Sequence, residues 1–227
     1  MPVSFPQLRL WLVRRLRLAS GTGIEMPIEV HVRGPLDVAA LASAADRIFE
    51  RHEMLRTRFE VDGSRVFQRI DEARSGMLRT AESGTQVREW AEREARVEFD
   101  LYEGPLLRMS LLRLTRSEHV LFIRAHHIVL DGWSLGVLFR EMSAFYEMRP
   151  PPALAAQYGD YALWQRACIQ GERHEDQVRY WEKRLEGLRL PRLPRRPDPG
   201  TIRTVSATEL VVGAALTQRL RELSRRS

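Results

Sequence analysis

The stretch Ala125-His126-His127-Ile128-Val129-Leu130-Asp131-Gly132-Trp133-Ser134 decides how this chain is read. It follows a run of strand character, His119-Val120-Leu121-Phe122-Ile123. It precedes a helical run in which Leu135, Leu138, Phe139, Met142, Phe145 and Tyr146 recur at helical spacing and form a core-facing stripe. Neighbouring residues on a strand point to opposite faces, so His126 and His127 cannot both enter one site. One imidazole is expected to be structural and the other to reach a cleft. The same alternation argues against the pair chelating a metal, and the chain has no HExxH or Cys/His ligand spacing. Asp131 lies beyond a short turn, where it either orients an imidazole or pairs with an arginine and fixes the turn. Gly132 suits a positive-φ position or a close backbone approach. Ser134 suits the N-cap of a helix running to about Met148. Histidine is the side chain whose proton affinity suits acid–base work near neutral pH. No Ser or Cys nucleophile motif accompanies it, so a covalent acyl-enzyme is not indicated. Read alone, the string fits two structural histidines as well as it fits one active histidine.

Working outward, residues 27–33 alternate as a half-buried strand, and Asp37 caps a helix over 38–52 that turns Leu41, Ala45, Ile48, Phe49 and His52 inward. Residues 55–61 and 65–70 read as a hairpin turning at Asp62-Gly63. Residues 74–84 read as polar and turn-like. A helix over 85–97 places Val87, Trp90, Ala91 and Ala95 inward. Strands are expected over 106–114 and 118–126, and helices over 158–170 and 174–187. Prolines 191, 194, 197 and 199 mark a stiff connector, followed by a strand-like piece over 203–212 and a helix over 214–225. Strands and helices mix without a strict βαβ rhythm, which predicts an α/β fold with a mixed sheet flanked by helices. Trp11, Trp90, Trp164 and Trp181 read as core anchors. Cys168, His31, His52, His119 and His174 read as packing or surface residues, and Tyr158 and Asp160 as residues that cap and pin a helix.

With 227 residues, 44% apolar and 29% charged, the chain can bury a real core and is neither disordered nor fibrous. Its longest apolar runs fall far short of the roughly 20 residues of a membrane helix. Arg9, Arg14 and Arg15 break up any secretory apolar segment at the start. Cys168 is the only cysteine, which excludes an internal disulfide and makes the cytoplasm the expected address. The net charge is +6, and all but Lys183 of its 36 basic residues are arginine. These are scattered among glutamates, as in residues 89–96, and read as solvated helix faces. Without interleaved aromatics or a recognised module, nucleic-acid binding is not expected.

Four ordered stretches match one family. Residues 125–134 resemble the HHxxxDG motif of condensation domains from nonribosomal peptide synthetases. Ser4-Phe5-Pro6-Gln7-Leu8-Arg9-Leu10-Trp11 resembles that family's opening SxAQxRLW motif, with Pro6 in place of alanine. Arg51-His52-Glu53-Met54-Leu55-Arg56-Thr57-Arg58-Phe59 resembles RHExLRTxF in full, and residues 158–164 resemble YxDFAxW with Tyr161 for Phe. Tyr180-Trp181 and the proline-rich segment are similar to the family's next stretch.

The resemblance implies a chloramphenicol acetyltransferase-like lobe. It implies amide-bond formation between an acyl or peptidyl thioester and an aminoacyl thioester, each carried on the 4′-phosphopantetheine arm of a carrier protein, with no tightly bound cofactor. It makes His127 the active-site residue, with His126, Asp131 and Gly132 as supports, the Gly132 backbone also facing the developing oxyanion. Arg51 and Arg56 are expected to pair with Asp131 or brace the loop. Gly132-Trp133-Ser134 resembles the peptide-bond-forming members and leans toward an L-configured donor. The family's domain has two lobes with the reaction centre between them, and its later motifs are absent here. The expected organisation is therefore an N-terminal lobe over 1–188, a connector over 189–202, and the start of a second, missing lobe over 203–227. Activity would then need a complementary lobe or a second copy. The partners implied are upstream and downstream carrier domains. Two other readings stand beside this one: a noncatalytic docking module, and an acyltransferase using coenzyme A thioesters.

Overall fold

The computed structural model describes residues 1–16, 24–82, 87–188 and 211–226. The chain divides into two units, Met1–Pro191 and Arg192–Ser227. Within the first unit, helix α1 (Phe5–Arg15) starts at a capping box, in which Ser4 Oγ accepts from the Gln7 amide and Gln7 Oε1 accepts from the Ser4 amide. Strand β1 (Glu25–Arg33) and helix α2 (Val38–Arg51) follow, α2 capped by Asp37 accepting from the Ala40 amide at 2.9 Å. A single 3₁₀ turn (Glu53–Arg56) leads into the hairpin β2 (Thr57–Asp62) and β3 (Arg65–Ile70). Asp62 pairs with Arg65, so the hairpin turns on Gly63 and Ser64, one residue later than expected, with Gly63 at φ 58°. This is a conformation glycine adopts without a Cβ penalty.

Strand β4 (Leu78–Glu82) and helix α3 (Val87–Arg96) come next, then β5 (Leu107–Arg113), β6 (Glu118–His126) and α4 (Gly132–Tyr146). The unit ends with α5 (Tyr158–Cys168) and α6 (Gly171–Leu185). One four-stranded sheet runs in the order β1-β6-β5-β4, antiparallel except for the parallel β4–β5 pair. The expected mixed sheet is present, but β4 arises where a turn was expected. Of its residues Leu78 is buried and Arg79 and Thr80 are exposed, so no apolar alternation announces a strand. Pairing with β5, from Leu78 opposite Met109 to Glu82 opposite Arg113, supplies the order.

The sheet is covered on both faces, which is why β6 is buried without a break from His119 to His126 and carries the apolar run Val120 to Ile123. Leu107, Met109, Leu111, Leu121, Ile123 and Ala125 join the large core. That core also takes in Leu41, Ile48 and Phe49 of α2 and Leu138, Met142 and Phe145 of α4. On the other face Leu112, Val120 and Phe122 pack against Trp90 of α3, whose ring meets Phe122 edge-on at 5.8 Å. Ala95, expected inward on α3, is exposed. Arg124 is buried on the α3 side. It donates to the carbonyls of Glu94 and Val97 at 2.6 Å each and pairs with the Glu25 carboxylate, so its charge is matched.

Two of the expected core anchors are not core. Trp164 on α5 is 61% exposed and Trp181 on α6 is 55% exposed, beside exposed Tyr161 and Tyr180. Helix α6 buries none of its residues. An aromatic is an anchor only where another element covers it, and no described residue covers these. Trp11 and Trp90 are buried as expected. Cys168, half-buried, is the last residue of α5.

The second unit's described part is helix α7 (Ala214–Arg226), with Leu216 and Leu220 exposed. The connector expected over 189–202 lies outside the described residues, as does the strand-like piece except for 211 and 212, which are not in a strand. Among the described residues no helix is long and apolar enough to cross a membrane.

Candidate active site

The tertiary structure draws the four sequence motifs together. Ser4 Oγ and the Tyr158 hydroxyl lie 2.9 Å apart, and the Phe5 amide donates to Gln165 Oε1 at 2.8 Å. Gln157, which caps α5, donates from its side chain to the Arg51 carbonyl at 2.9 Å, and its own amide donates to Asp160 at 2.8 Å. The opening helix, the end of α2 and the start of α5 therefore form one scaffold. It borders a cleft of about 170 Å³ lined by His52, Leu55, Val129, Leu130, Ser134 and Tyr158. The loop that follows the two histidines forms one wall of that cleft.

At the end of β6 the two histidines part. His126 is fully buried. Its amide donates to the Leu106 carbonyl at 2.9 Å, and its own carbonyl accepts from the Val129 amide at 3.0 Å. The Ile128 amide donates to Nδ1 at 3.1 Å. An amide can only donate, so Nδ1 is the acceptor and the neutral ring carries its proton on Nε2. Nε2 is buried with no partner among the described residues. The ring stands edge-on to Phe99, centroids 6.5 Å apart and planes at 86°. Burial above all, then the positive Arg14 and the neighbouring His127, lower its pKa from 6.5 to about 4. His126 is thus a neutral, locked ring at pH 7.

His127 is only half-buried. Its amide donates to the Ile24 carbonyl at 2.8 Å, which fixes the backbone. Among the described residues nothing hydrogen-bonds its ring, and the ring lies within electrostatic reach of both His126 and Asp131. One imidazole is sealed and its neighbour is half-buried, so the two take different surroundings, as strand alternation predicts.

Asp131, not Ser134, is the N-cap of α4: its carboxylate accepts from the Ser134 amide at 2.8 Å. Hydrogen bonds from the Ser134 hydroxyl and amide hold its carboxyl below the ordinary carboxylate value, and His127 acts in the same direction. Neither arginine pairs with it. Arg51 Nε binds Glu141 at 2.9 Å and its Nη2 donates to the Pro152 carbonyl at 2.6 Å. Arg56 donates to the Asp71 carbonyl and reaches Glu53 at 3.8 Å. The reason is distance along the fold: α2 ends against the middle of α4, where buried Glu141 collects both Arg51 and, at 2.7 Å, His52 Nε2. Gly132 is the first residue of α4 and an added Cβ would meet nothing within 4 Å, so neither positive φ nor crowding explains it. Beside it Trp133 is 86% exposed.

Sequence reasoning missed Phe99, Glu141 and the Arg124–Glu25 pair. Phe99 lies 5.2 Å from the Arg108 guanidinium and 5.0 Å from that of Arg124 as well as against His126. Each lies outside the motifs, and only its tertiary neighbours give it meaning. Among the described residues no three His, Cys, Asp or Glu side chains gather as a metal site.

This arrangement can be set beside known proteins. The family model described as Condensation domain matches residues 1–227. Malpinin synthetase of Mortierella alpina is 34% identical over 242 aligned residues, covering 100% of this chain and 3% of that protein. The structure of the X-domain in complex with OxyB from teicoplanin biosynthesis superposes with a TM-score of 0.72 at 34% identity, covering 86% of this chain and 46% of that one. The EpoB cyclization-docking bidomain from Sorangium cellulosum gives a TM-score of 0.75 at 26% identity, covering 89% and 43%. The chain thus spans under half the length of these solved structures and a small part of the synthetase. With its motifs brought together and the match running from end to end, this chain belongs to the condensation domain family of nonribosomal peptide synthesis.

Proposed function

We propose that this chain is the histidine-bearing lobe of an amide-forming condensation domain, with His127 as its catalytic residue. The observation that carries the reading is the division of labour at the end of β6: His126 is locked and neutral, and the adjacent His127 ring is pinned by its backbone yet open at its side chain. The acceptor amine, on the phosphopantetheine arm of a downstream carrier domain, hydrogen-bonds the free His127 ring. Its lone pair attacks the thioester carbonyl of the upstream carrier's donor. A C–N bond forms, the C–S bond breaks, and the amine proton passes by way of His127 to the departing thiolate. Holding both reactants in one place supplies much of the rate. Asp131 acts by capping α4 and setting the loop, and His126 by fixing the strand end. Arg51 and Arg56 brace the α2–α4 junction and the hairpin. The Gly132 amide, in the first turn of α4, faces the developing oxyanion.

The cleft beside the loop and the exposed aromatics of α5 and α6 support a need for further protein to complete the reaction chamber. The test uses this lobe joined to a second one, with both carriers loaded. His127→Ala lowers the single-turnover rate by at least about 100-fold, the scale of a positioned acid–base group, without changing the thermal midpoint. A near-normal rate in that variant makes His127 scaffold and leaves the docking-module reading in its place.

A further inference from the structure

A second concave site lies away from the histidine pair. Where the starts of β4 and β5 meet the β2–β3 hairpin, a cavity of about 200 Å³ opens. Its walls carry five arginines, Arg56, Arg58, Arg74, Arg79 and Arg108. Against them stand three carboxylates in the wall, Asp71, Glu72 and Glu103, and two just outside it, Glu53 and Glu60. Part of this charge is already matched, since Arg58 binds Asp71 at 3.0 Å and reaches Glu60 at 3.8 Å, and Arg56 reaches Glu53 at 3.8 Å. Arg74 and Arg79 have no ion pair among the described residues. The Nε atoms of Arg56 and Arg108 are buried with no acceptor there. A buried donor left unmatched, above all one on a cation, is costly, and an anion in the cavity removes that cost. Burial first, then the like charges of Arg79 and Arg124, holds the Arg108 guanidinium below its ordinary pKa, against the opposing pull of Glu94 and Glu25.

We propose that this cavity binds a small phosphate monoester with an apolar body. Guanidinium forks match phosphoryl oxygens, and Arg74, Arg79 and Arg108, which have no ion pair among the described residues, suit the dianion that a monoester carries above its second pKa, near 6. The buried side chains of Phe49, Leu107 and Met109 form an apolar wall against which the body packs. A phosphodiester, such as the link that joins a pantetheine arm to its carrier, brings one charge and matches less well. The site is independent of amide-bond formation and stands or falls separately from the role of His127.

The 227-residue chain is titrated calorimetrically with phenyl phosphate at pH 7.5 and fixed ionic strength, beside methyl phenyl phosphate as the diester control. The expected result is saturable one-to-one binding of the monoester with Kd below about 1 mM. Binding is about tenfold weaker for the diester and for Arg108→Gln, the scale of one charge-assisted hydrogen bond. Arg79→Gln, on an exposed position, gives the same direction in a variant whose folding is not at stake. No saturable heat, equal binding of the diester, or binding unchanged in Arg79→Gln overturns the proposal.

Discussion

The two sides of the histidine pair are built on opposite plans. Toward α3, His126, Phe99 and Arg124 form a closed cluster in which the Phe99 ring meets one imidazole edge and two guanidinium groups. Toward the loop and α5, His127 is half-buried while Trp133 and Trp164 stand largely in water. That contrast separates the sealed imidazole from the one to which the proposed chemistry is assigned. Packing fixes the closed side so completely that its histidine cannot titrate near pH 7, and His127, the residue proposed as catalytic, lies where that packing stops.

The most direct way to break the comparison is to open the closed side. Phe99→Ala removes the ring shared by His126, Arg108 and Arg124 and destabilises the chain by about 3–5 kcal/mol, read from urea unfolding. A loss below about 1 kcal/mol means the cluster does not hold the strand end together.

A smaller effect comes from pH. The folded state holds His126 at a pKa of about 4, against 6.5 when it is freely solvated. Between these values the unfolded chain binds the extra proton, so stability is full above pH 6.5 and falls as the pH drops toward 4. The size of this contribution is about 3 kcal/mol. Carboxylates titrate in the lower part of the same window, so the comparison is with His126→Asn, whose carbonyl oxygen keeps an acceptor for the Ile128 amide and carries no titratable group. Unfolding midpoints from pH 7 to 4.5 are expected to fall more steeply in the parent chain. Parallel slopes would mean the imidazole is not held neutral.

The smallest effect is expected on the open side. Trp164→Ala changes the stability of this chain by less than about 0.5 kcal/mol, because the ring has little covering it to lose. The same truncation at Trp90, buried against Phe122, belongs to the class that costs about 3–5 kcal/mol. If the Trp164 variant is as destabilised as a core truncation, α5 is covered in solution and the contrast between the two sides disappears.

Much of this molecule is legible in the order of its residues. Strand alternation divides His126 from His127, the helical stripe from Leu135 to Tyr146 becomes the packed face of α4, and the four motifs point to the family. These features are local: a residue's neighbours in sequence set which face it takes. The partner of Asp131 is not legible, because a carboxylate at that spacing serves equally as a cap or an ion pair, and the approach of α2 to Glu141 takes Arg51 elsewhere.

What the sequence by itself determined is most of the elements in their order, the fold class, the family and the opposite facing of two adjacent imidazoles. What only the tertiary structure decided is which imidazole is sealed, that β4 is a strand, that Trp164 and Trp181 lie exposed, and that five arginines from separate elements ring one cavity. The physical reason is that periodicity is written residue by residue. Burial, and with it protonation and charge balance, depends on which distant segments arrive to cover each group.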